Sequence, residues 1–329
     1  MTDAVRERFD RFARHEAVGR SEIYQDWAAG IASDPEAQRI LARIPEQHRQ
    51  PPLVFAVTRM LGAPVGDYAA WREFLREHAE SVIGECARRG VQTNEPLRTA
   101  ALLPALSQID GPIALLEVGA SAGLCLYPDR YSYRFVDDEG QERLALDPAD
   151  GVSEVVLRSR VHGELPTLRL PHVAWRAGID LAPLDARSDS DRAWLRSLVW
   201  PGEHGREQRI TAALDIAAAD PPLLVAGEAN EQLDALASQA PPDATLIVST
   251  PGVLVYLPRR ERRALIERIR ALSARWVTID QPGLHDWRGS LPPVPDGASV
   301  VALDGAVTAV ADPLGRWWEW RDGSGSSVA

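Results

Sequence analysis

Ile113-Ala-Leu-Leu-Glu-Val-Gly-Ala-Ser-Ala-Gly-Leu124 runs from an apolar stretch through one acidic residue into five small residues. A short run of Ile, Leu and Val bounded by glycine is the pattern of a strand buried on both faces, as in a parallel sheet. Glu117, the one charge, stands near its carboxyl end. Gly119, Ala120, Ser121, Ala122 and Gly123 keep the following loop bare, and a bare loop lets a ligand lie against the backbone where a strand turns into a helix. The stretch predicts an α/β fold with a nucleotide-type cofactor site at the end of this strand.

Three patterns fit these residues. The spacing of Glu117, Gly119, Ser121 and Gly123 resembles the Glu/Asp-x-Gly-x-Gly/Ser/Ala-x-Gly loop of class I S-adenosylmethionine (SAM) methyltransferases. A dinucleotide fingerprint, Gly-x-Gly-x-x-Gly, needs glycine where Ser121 and Leu124 stand and fails at both. Gly119-Ala-Ser-Ala-Gly123 also satisfies Gly-x-Ser-x-Gly, the nucleophile elbow of α/β-hydrolases, with His285 and several aspartates downstream to complete a triad order. Such an elbow follows several strands and a loop of oxyanion donors, and nothing before residue 110 reads that way.

Around this motif lies a chain of 329 residues, 45% hydrophobic and 25% charged, long enough for a full α/β domain and a smaller accessory region. A net charge of −11 argues against extended contact with phosphate backbones, so nucleic acid is not an expected partner. The only cysteines, Cys86 and Cys125, allow no disulfide framework, and the seven histidines never fall into ligand spacing, so no metal is expected. The charged amino terminus, and the lack of an apolar run of about 18 to 20 residues, predict a cytoplasmic chain without a membrane anchor.

Residues 1–108 show helical periodicity, with Phe9, Phe12 and Ala13, then Ile23, Trp27 and Ile31, then Trp71, Phe74, Leu75 and His78 recurring on single faces. Pro45, Pro51-Pro52 and Gly62-Ala-Pro-Val-Gly66 punctuate it, which predicts an N-terminal helical lid domain of five or so helices. From 109 to 322 short β-rich runs alternate with amphipathic stretches, the signature of βα units. Strands are predicted at 113–118, 173–179, 222–227, 244–249 and 274–280, followed by a hairpin over 299–303 and 307–310 and a last run at 316–320. Residues 131–171 read as an inserted β-hairpin region. It separates Glu117 from Asp180 by far more than the about 30 residues of a plain βαβ unit. The tail 323–329 is Gly- and Ser-rich and predicted to be disordered.

Acidic residues recur at predicted strand ends. Asp180 closes Trp175-Arg-Ala-Gly-Ile-Asp180, similar to the Gly-Ile/Val-Asp motif after the second strand of methyltransferases, where a carboxylate accepts both ribose hydroxyls; a turn or cap role fits it equally. Glu228 follows the third strand, with a solvated loop carboxylate as the alternative. After the fourth strand Ser249, Thr250 and Tyr256 are candidates to face a substrate. The arginines of 259–270 fall on the outer face of a helix and read as solvated surface. Trp317, Trp318 and Trp320 could stack on a ligand, but alternation of faces along an edge hairpin favours at least one ring in the core.

Gln92-Thr-Asn-Glu95, the 117–124 loop, Pro128-Asp-Arg-Tyr131, Trp175-Arg-Ala-Gly-Ile-Asp180 and Val199-Trp-Pro201 occur together, and in this combination the chain resembles the bacterial domain-of-unknown-function family twenty-three thirty-two from about residue 5 to 320. The resemblance implies a Rossmann-like class I methyltransferase sheet with the N-terminal helical domain and the insertion. It departs at Cys125, where Asn is usual, and at Ser249-Thr-Pro-Gly252. Asn94 before Pro96 also suits a helix start.

Together these readings imply SAM as cofactor and a small-molecule substrate. Glu117, Gly119, Ala120, Ser121, Gly123, Asp180, Leu181, Glu228 and Ser249 would hold the cofactor. Gln92, Glu95, Tyr131, Trp200, Arg206 and Arg209 would hold the substrate, with Tyr256, Thr250 and Asn94 in the catalytic roles. Methyl transfer gains most from placing the acceptor in line with the sulfonium in a dry pocket, so no marked acid or base is required. A variant chemistry on the same fold lets SAM attack itself and release methylthioadenosine. A non-catalytic ligand-binding protein and a hydrolase using Ser121 are the remaining alternatives.

Overall fold

The computed structural model of the chain describes residues 2–321, and it divides into two compact units, Met1–Thr93 with Arg187–Thr211, and Asn94–Ala186 with Ala212–Ala329. The tail 323–329 lies outside the described residues.

The first unit is helical. It holds α1 (Thr2–Arg11), extended by a π-turn at Phe12–Glu16, α2 (Glu22–Ser33), α3 (Pro35–Leu41), α4 (Pro51–Met60), α5 (Tyr68–Glu77), α6 (Ala79–Arg88) and, later in the chain, α8 (Asp189–Ser197). Side-chain oxygens start several of these. Ser21 accepts from the Tyr24 N–H, Asp34 from Glu36 and Ala37, Asp67 from Ala70 and Ser188 from Asp191, each satisfying an N–H that the helix itself leaves open. The breaker 62–66 separates α4 from α5, and His78 separates α5 from α6. The core is aromatic: Tyr24, Trp27, Phe55 and Trp71 are fully buried, with neighbouring ring centroids 4.8 to 5.7 Å apart. Both indole N–H groups in it are met, Trp27 by Gly66 O at 2.8 Å and Trp71 by Thr58 Oγ1 at 2.9 Å.

The second unit is built on one mixed sheet: β1 (Pro112–Val118), β2 (Ser132–Val136), β3 (Glu142–Leu146), β4 (Val156–His162), β5 (His172–Asp180), β6 (Leu223–Ala226), β7 (Thr245–Pro251), β8 (Arg275–Asp280), β9 (Ser299–Leu303), β10 (Ala306–Ala311) and β11 (Trp317–Trp320). Their spatial order is β3-β2-β4-β11-β10-β9-β8-β7-β1-β5-β6. The five predicted parallel strands are β1, β5, β6, β7 and β8; their pairings with one another are parallel, and β8 pairs antiparallel with β9. The remaining helices are α7 (Arg98–Leu106), α9 (Arg206–Ala219), which passes from the first unit into the second, α10 (Ala229–Ala237) and α11 (Arg259–Ala271). Helices α10 and α11 bury Leu233, Leu236, Leu265 and Ile269 against Leu116, Val118, Ile179, Val248 and Trp276 of the sheet.

Helix α7 belongs with the sheet, not with the preceding helices: it packs on β8, β9 and β10, and all its residues are buried. The 131–171 region does form a hairpin, β2 with β3, but β4 then runs parallel to β2 on one side and to β11 on the other. The insertion therefore lengthens the main sheet and covers the edge that β11 would otherwise expose. Phe135 packs edge-on against the fully buried ring of Trp318 at 5.5 Å, and Ser159 donates to Gly315 O at 2.7 Å.

One local expectation is overturned. A helix was predicted after the 119–123 loop, yet β1 is followed by a single 3₁₀ turn, Leu124–Leu126, that leads to β2. Pro128 has no N–H to bond Leu124 O, and the Tyr131 hydroxyl donates to that carbonyl at 2.7 Å instead. Asn94 Oδ1 takes the Leu124 N–H at 3.3 Å, so both polar groups that would open a helix are committed elsewhere. No helix among the described residues is long and apolar enough to cross a membrane.

Candidate functional site

Numbered by their occurrence in the chain, the five parallel strands lie in the order 3-2-1-4-5, and the chain leaves β1 toward β5 on one side and β7 on the other. In open α/β sheets the crevice outside the carboxyl ends of strands at such a switch point receives ligands. Glu117 near the end of β1, Asp180 at the end of β5, Ser249 and Thr250 in β7 and Asp280 at the end of β8 are gathered at this edge. Glu117 pairs in register with Gly178 on one side and Ser249 on the other.

The bare loop at the end of β1 spends its donors on the protein. The N–H groups of Gly119 and Ala120 both reach Ile179 O, at 2.8 and 3.1 Å, and the Gly123 N–H reaches Ala120 O at 2.6 Å. Ser121, at φ 51, donates its N–H to Asp180 Oδ2 at 2.8 Å, and Ala182 donates to Asp180 Oδ1 at 2.9 Å. Asp180 is thus the clamp of the loop. The glycines have local reasons too: a Cβ on Gly119, at φ 78, would stand 2.6 Å from Val253 Cγ2, and one on Gly178 would overlap Ala120 Cβ. With these N–H groups committed and no α-helix behind it, the loop is not an anion cradle of the P-loop or dinucleotide kind. The same missing helix removes the strand-turn-helix that a nucleophile elbow at Ser121 requires.

Beside the loop lies a group of buried charges. Arg98 opens α7, and its Nη1 and Nε donate to Pro251 O at 2.7 Å and Pro313 O at 2.9 Å. Glu117 is 3% exposed, and its Oε2 has no hydrogen-bond partner. Burial pushes its carboxyl up to about 8, against a downward pull from Arg98 and with a smaller upward push from Asp180. Asp280 is equally buried, with Oδ1 unpartnered. Burial raises it to about 7, while the Thr278 hydroxyl, Arg98 and Arg262 act in the opposite sense.

A directed chain of hydrogen bonds ends on Asp280. The Trp276 indole can only donate, and it gives its N–H to Thr250 Oγ1 at 2.9 Å; Thr250 donates to Thr278 Oγ1 at 2.9 Å, and Thr278 donates to Asp280 Oδ2. Thr250, a predicted catalytic group, is therefore a fully buried link in this chain. Tyr256, in the 3₁₀ turn Leu254–Tyr256, is 73% exposed. Asn94 does not cap α7. Its Oδ1 ties down Leu124, its buried Nδ2 is unpartnered, and Glu95 Oε1 accepts the Leu97 N–H at 3.0 Å instead.

The other predicted residues divide between the units. In the second, Ser249 is buried beside Glu117, Tyr131 is buried with its hydroxyl on Leu124 O, Leu181 is 68% exposed, and Glu228 is exposed at the first position before α10. Gln92, Trp200, Arg206 and Arg209 belong to the first unit. There Trp200 packs on Phe12 and Tyr24, with the Arg20 guanidinium 3.8 Å from its ring centroid, and Arg206 pairs with Glu203 at 2.6 Å. Sequence reasoning missed Arg98 and Asp280. The signals were present: Arg98 is the one charge in an otherwise near-apolar helical run, and Asp280 closes an apolar strand, as Glu117 nearly does. No group of His, Cys, Asp and Glu among the described residues is arranged to hold a metal ion.

The chain belongs to a family described as "Uncharacterized protein conserved in bacteria (DUF2332)", whose model matches residues 6–320. No curated protein and no solved structure matches it.

Proposed function

We propose that the chain is a SAM-dependent enzyme, a methyltransferase acting on a small molecule, with its cofactor at the carboxyl ends of β1 and β5. The observation that carries this reading is the 3-2-1-4-5 order of the parallel strands with the unpaired Glu117 Oε2 beside the switch point. A buried carboxyl with an unmet oxygen fits a cationic ligand. SAM has a sulfonium, an ammonium and a carboxylate but no phosphate, so a loop with four of its N–H groups spent counts more against a dinucleotide than against SAM, whose carboxylate would draw its donors from elsewhere.

When bound, SAM supplies an electrophilic methyl group. Glu117 would take the ammonium of the methionine end. Asp180, whose two oxygens each keep a lone pair beyond the bonds to Ser121 and Ala182, would accept ribose hydroxyls, with Leu181 and Glu228 on the adenine side and Ser249 next to Glu117. Asn94, with its free Nδ2, is the candidate for contact with the acceptor.

Calorimetric titration with SAM and with S-adenosylhomocysteine, repeated on Glu117→Gln and Asp180→Ala, tests the reading. Binding that both substitutions weaken is the expected result. No heat with either ligand overturns it, and methylthioadenosine formed without an acceptor replaces methyl transfer by the self-reacting chemistry. Labelling of Ser121 by a fluorophosphonate would favour hydrolysis.

A further inference from the structure

Behind the edge of the sheet, His285, Asp280 and Trp287 each present a buried polar atom with no hydrogen-bond partner: His285 Nε2, Asp280 Oδ1 and Trp287 Nε1. The side chains of His285 and Asp280 are 1% and 0% exposed, and His285 Nε2 stands 3.9 Å from Asp280 Oδ2. The His285 ring is held between two indoles, its centroid 4.9 Å from that of Trp276 and 3.9 Å from that of Trp287. Unpaired buried polar atoms are rare in folded proteins, each costing about 1–3 kcal/mol. Three around one histidine ask for a common partner.

The hydrogen-bonding sense of each atom can be read. His285 Nδ1 lies 3.2 Å from Asp286 O, and a carbonyl only accepts, so Nδ1 carries the proton and Nε2 presents a bare lone pair. Burial, Arg270 and Arg262 disfavour a second proton on the ring, against Asp286 and its carbonyl, which favour it. Asp280, ionised above about pH 7, then has lone pairs free on Oδ1, whereas Oδ2 is engaged by the hydroxyl chain from Trp276. Trp287 Nε1 can only donate. With Asp280 ionised, the three atoms thus offer two acceptors and one donor.

We propose that Asp280, His285 and Trp287 form a binding site for an uncharged group with an NH₂ donor beside a carbonyl acceptor, a primary carboxamide. The two N–H bonds of the amide meet His285 Nε2 and Asp280 Oδ1, and its carbonyl oxygen meets the Trp287 N–H. An ammonium leaves the indole unpaired, and a carboxylate turns like poles on the two acceptors. His285 and Trp287 belong to residues 281–298, the connection from β8 to β9, which holds no helix or strand beyond an isolated bridge at Arg288. The site does not depend on SAM, so it stands or falls apart from the function proposed above.

The test is titration of the ¹⁵N-labelled full chain with benzamide, read at the Trp287 indole N–H resonance, which Trp287→Phe assigns. A saturable shift with benzamide, absent with benzoate and benzylamine and lost in His285→Phe and Asp280→Leu, is expected. If a variant does not fold, the three probes on the wild-type chain still decide. The proposal is overturned if benzamide leaves the resonance unmoved to its solubility limit, if all three probes move it alike, or if a water cross-peak at this N–H persists undisplaced.

Discussion

Glu117→Gln should remove the pH dependence that one buried acid imposes on the sheet. In the folded chain the Glu117 carboxyl is raised from its ordinary 4.5 to about 8, chiefly by burial. Between these values the unfolded chain has released a proton that the folded chain keeps. Stability then falls as pH rises, by about 1.4 kcal/mol per pH unit. This contribution is fully present below about pH 4.5, and about 5 kcal/mol of it is gone by about pH 8. Gln has nearly the same shape and does not titrate, but its amide leaves N–H groups unpaired at a cost of about 1–3 kcal/mol at every pH. The wild-type and variant stability curves therefore cross between about pH 5 and pH 7, the variant being the more stable above the crossing. Urea unfolding followed by far-ultraviolet circular dichroism at several pH values measures both curves, and every other titrating group cancels in their difference. A difference that is constant with pH would refute the reasoning, because it would mean that Glu117 is already ionised and paired in the folded chain.

Four further outcomes are expected. If Glu117 receives a cation from the cofactor, binding expels its proton, so SAM affinity should rise with pH by up to about tenfold per unit between about pH 6 and pH 7.5; a slope unchanged in Glu117→Gln would count against the contact. Thr250→Val should cost about 1–3 kcal/mol by leaving the Trp276 N–H unpaired, and it should weaken hydrogen-exchange protection of that indole, whereas a purely catalytic threonine would leave stability unmoved. Gly119→Ala should destabilise by about 1–3 kcal/mol through left-handed strain and the clash with Val253, and Val253→Ala should recover part of it; loss of ligand binding at unchanged stability would instead make the glycine a cofactor contact. Asp180→Ala should speed amide exchange at Ser121 and Ala182, whose N–H groups lose their acceptor, and unchanged exchange rates there would remove Asp180 as the clamp of the loop.

Most of the parallel strands were legible because they are short, largely apolar runs between breakers, while β5, with His172, Arg176 and Gly178, is the exception and was read from its acidic end. The destination of β2 to β4 was not, since the register partner of β4 is β11, at the other end of the chain, and periodicity carries no information about partners that distant. Helix α7 was placed with the preceding helices for a similar reason: a period of 3.6 reports a helix but not the body it joins. Its residues 99–106 carry no charge, which marks a helix buried all round rather than one lying on a surface. The missing helix after β1 came from one proline and two side-chain hydrogen bonds, from Asn94 and Tyr131, that no pattern in the 117–124 stretch announces.

The small-residue loop shows why one motif supports several readings. Glycine is needed wherever backbone turns left-handed or another atom comes close, and the atom at Gly119 is Val253 Cγ2 of the chain itself. Small residues at 119–123 therefore follow from the closing of β1 on β5 and on the turn after β7, and do not by themselves call for a ligand. Buried, unpaired acids have no such internal explanation. Glu117 lies next to the end of β1 and Asp280 at the end of β8, each lies within the electrostatic reach of Arg98, and each keeps one oxygen without a partner. A chain selected only for a stable sheet gains by replacing them with apolar side chains of similar volume, as replacement of buried ion pairs commonly shows. Their presence at the carboxyl edge, where perturbed acids are candidates for function, is what supports a site there, with the 119–123 loop clamped to β5 as its neighbour.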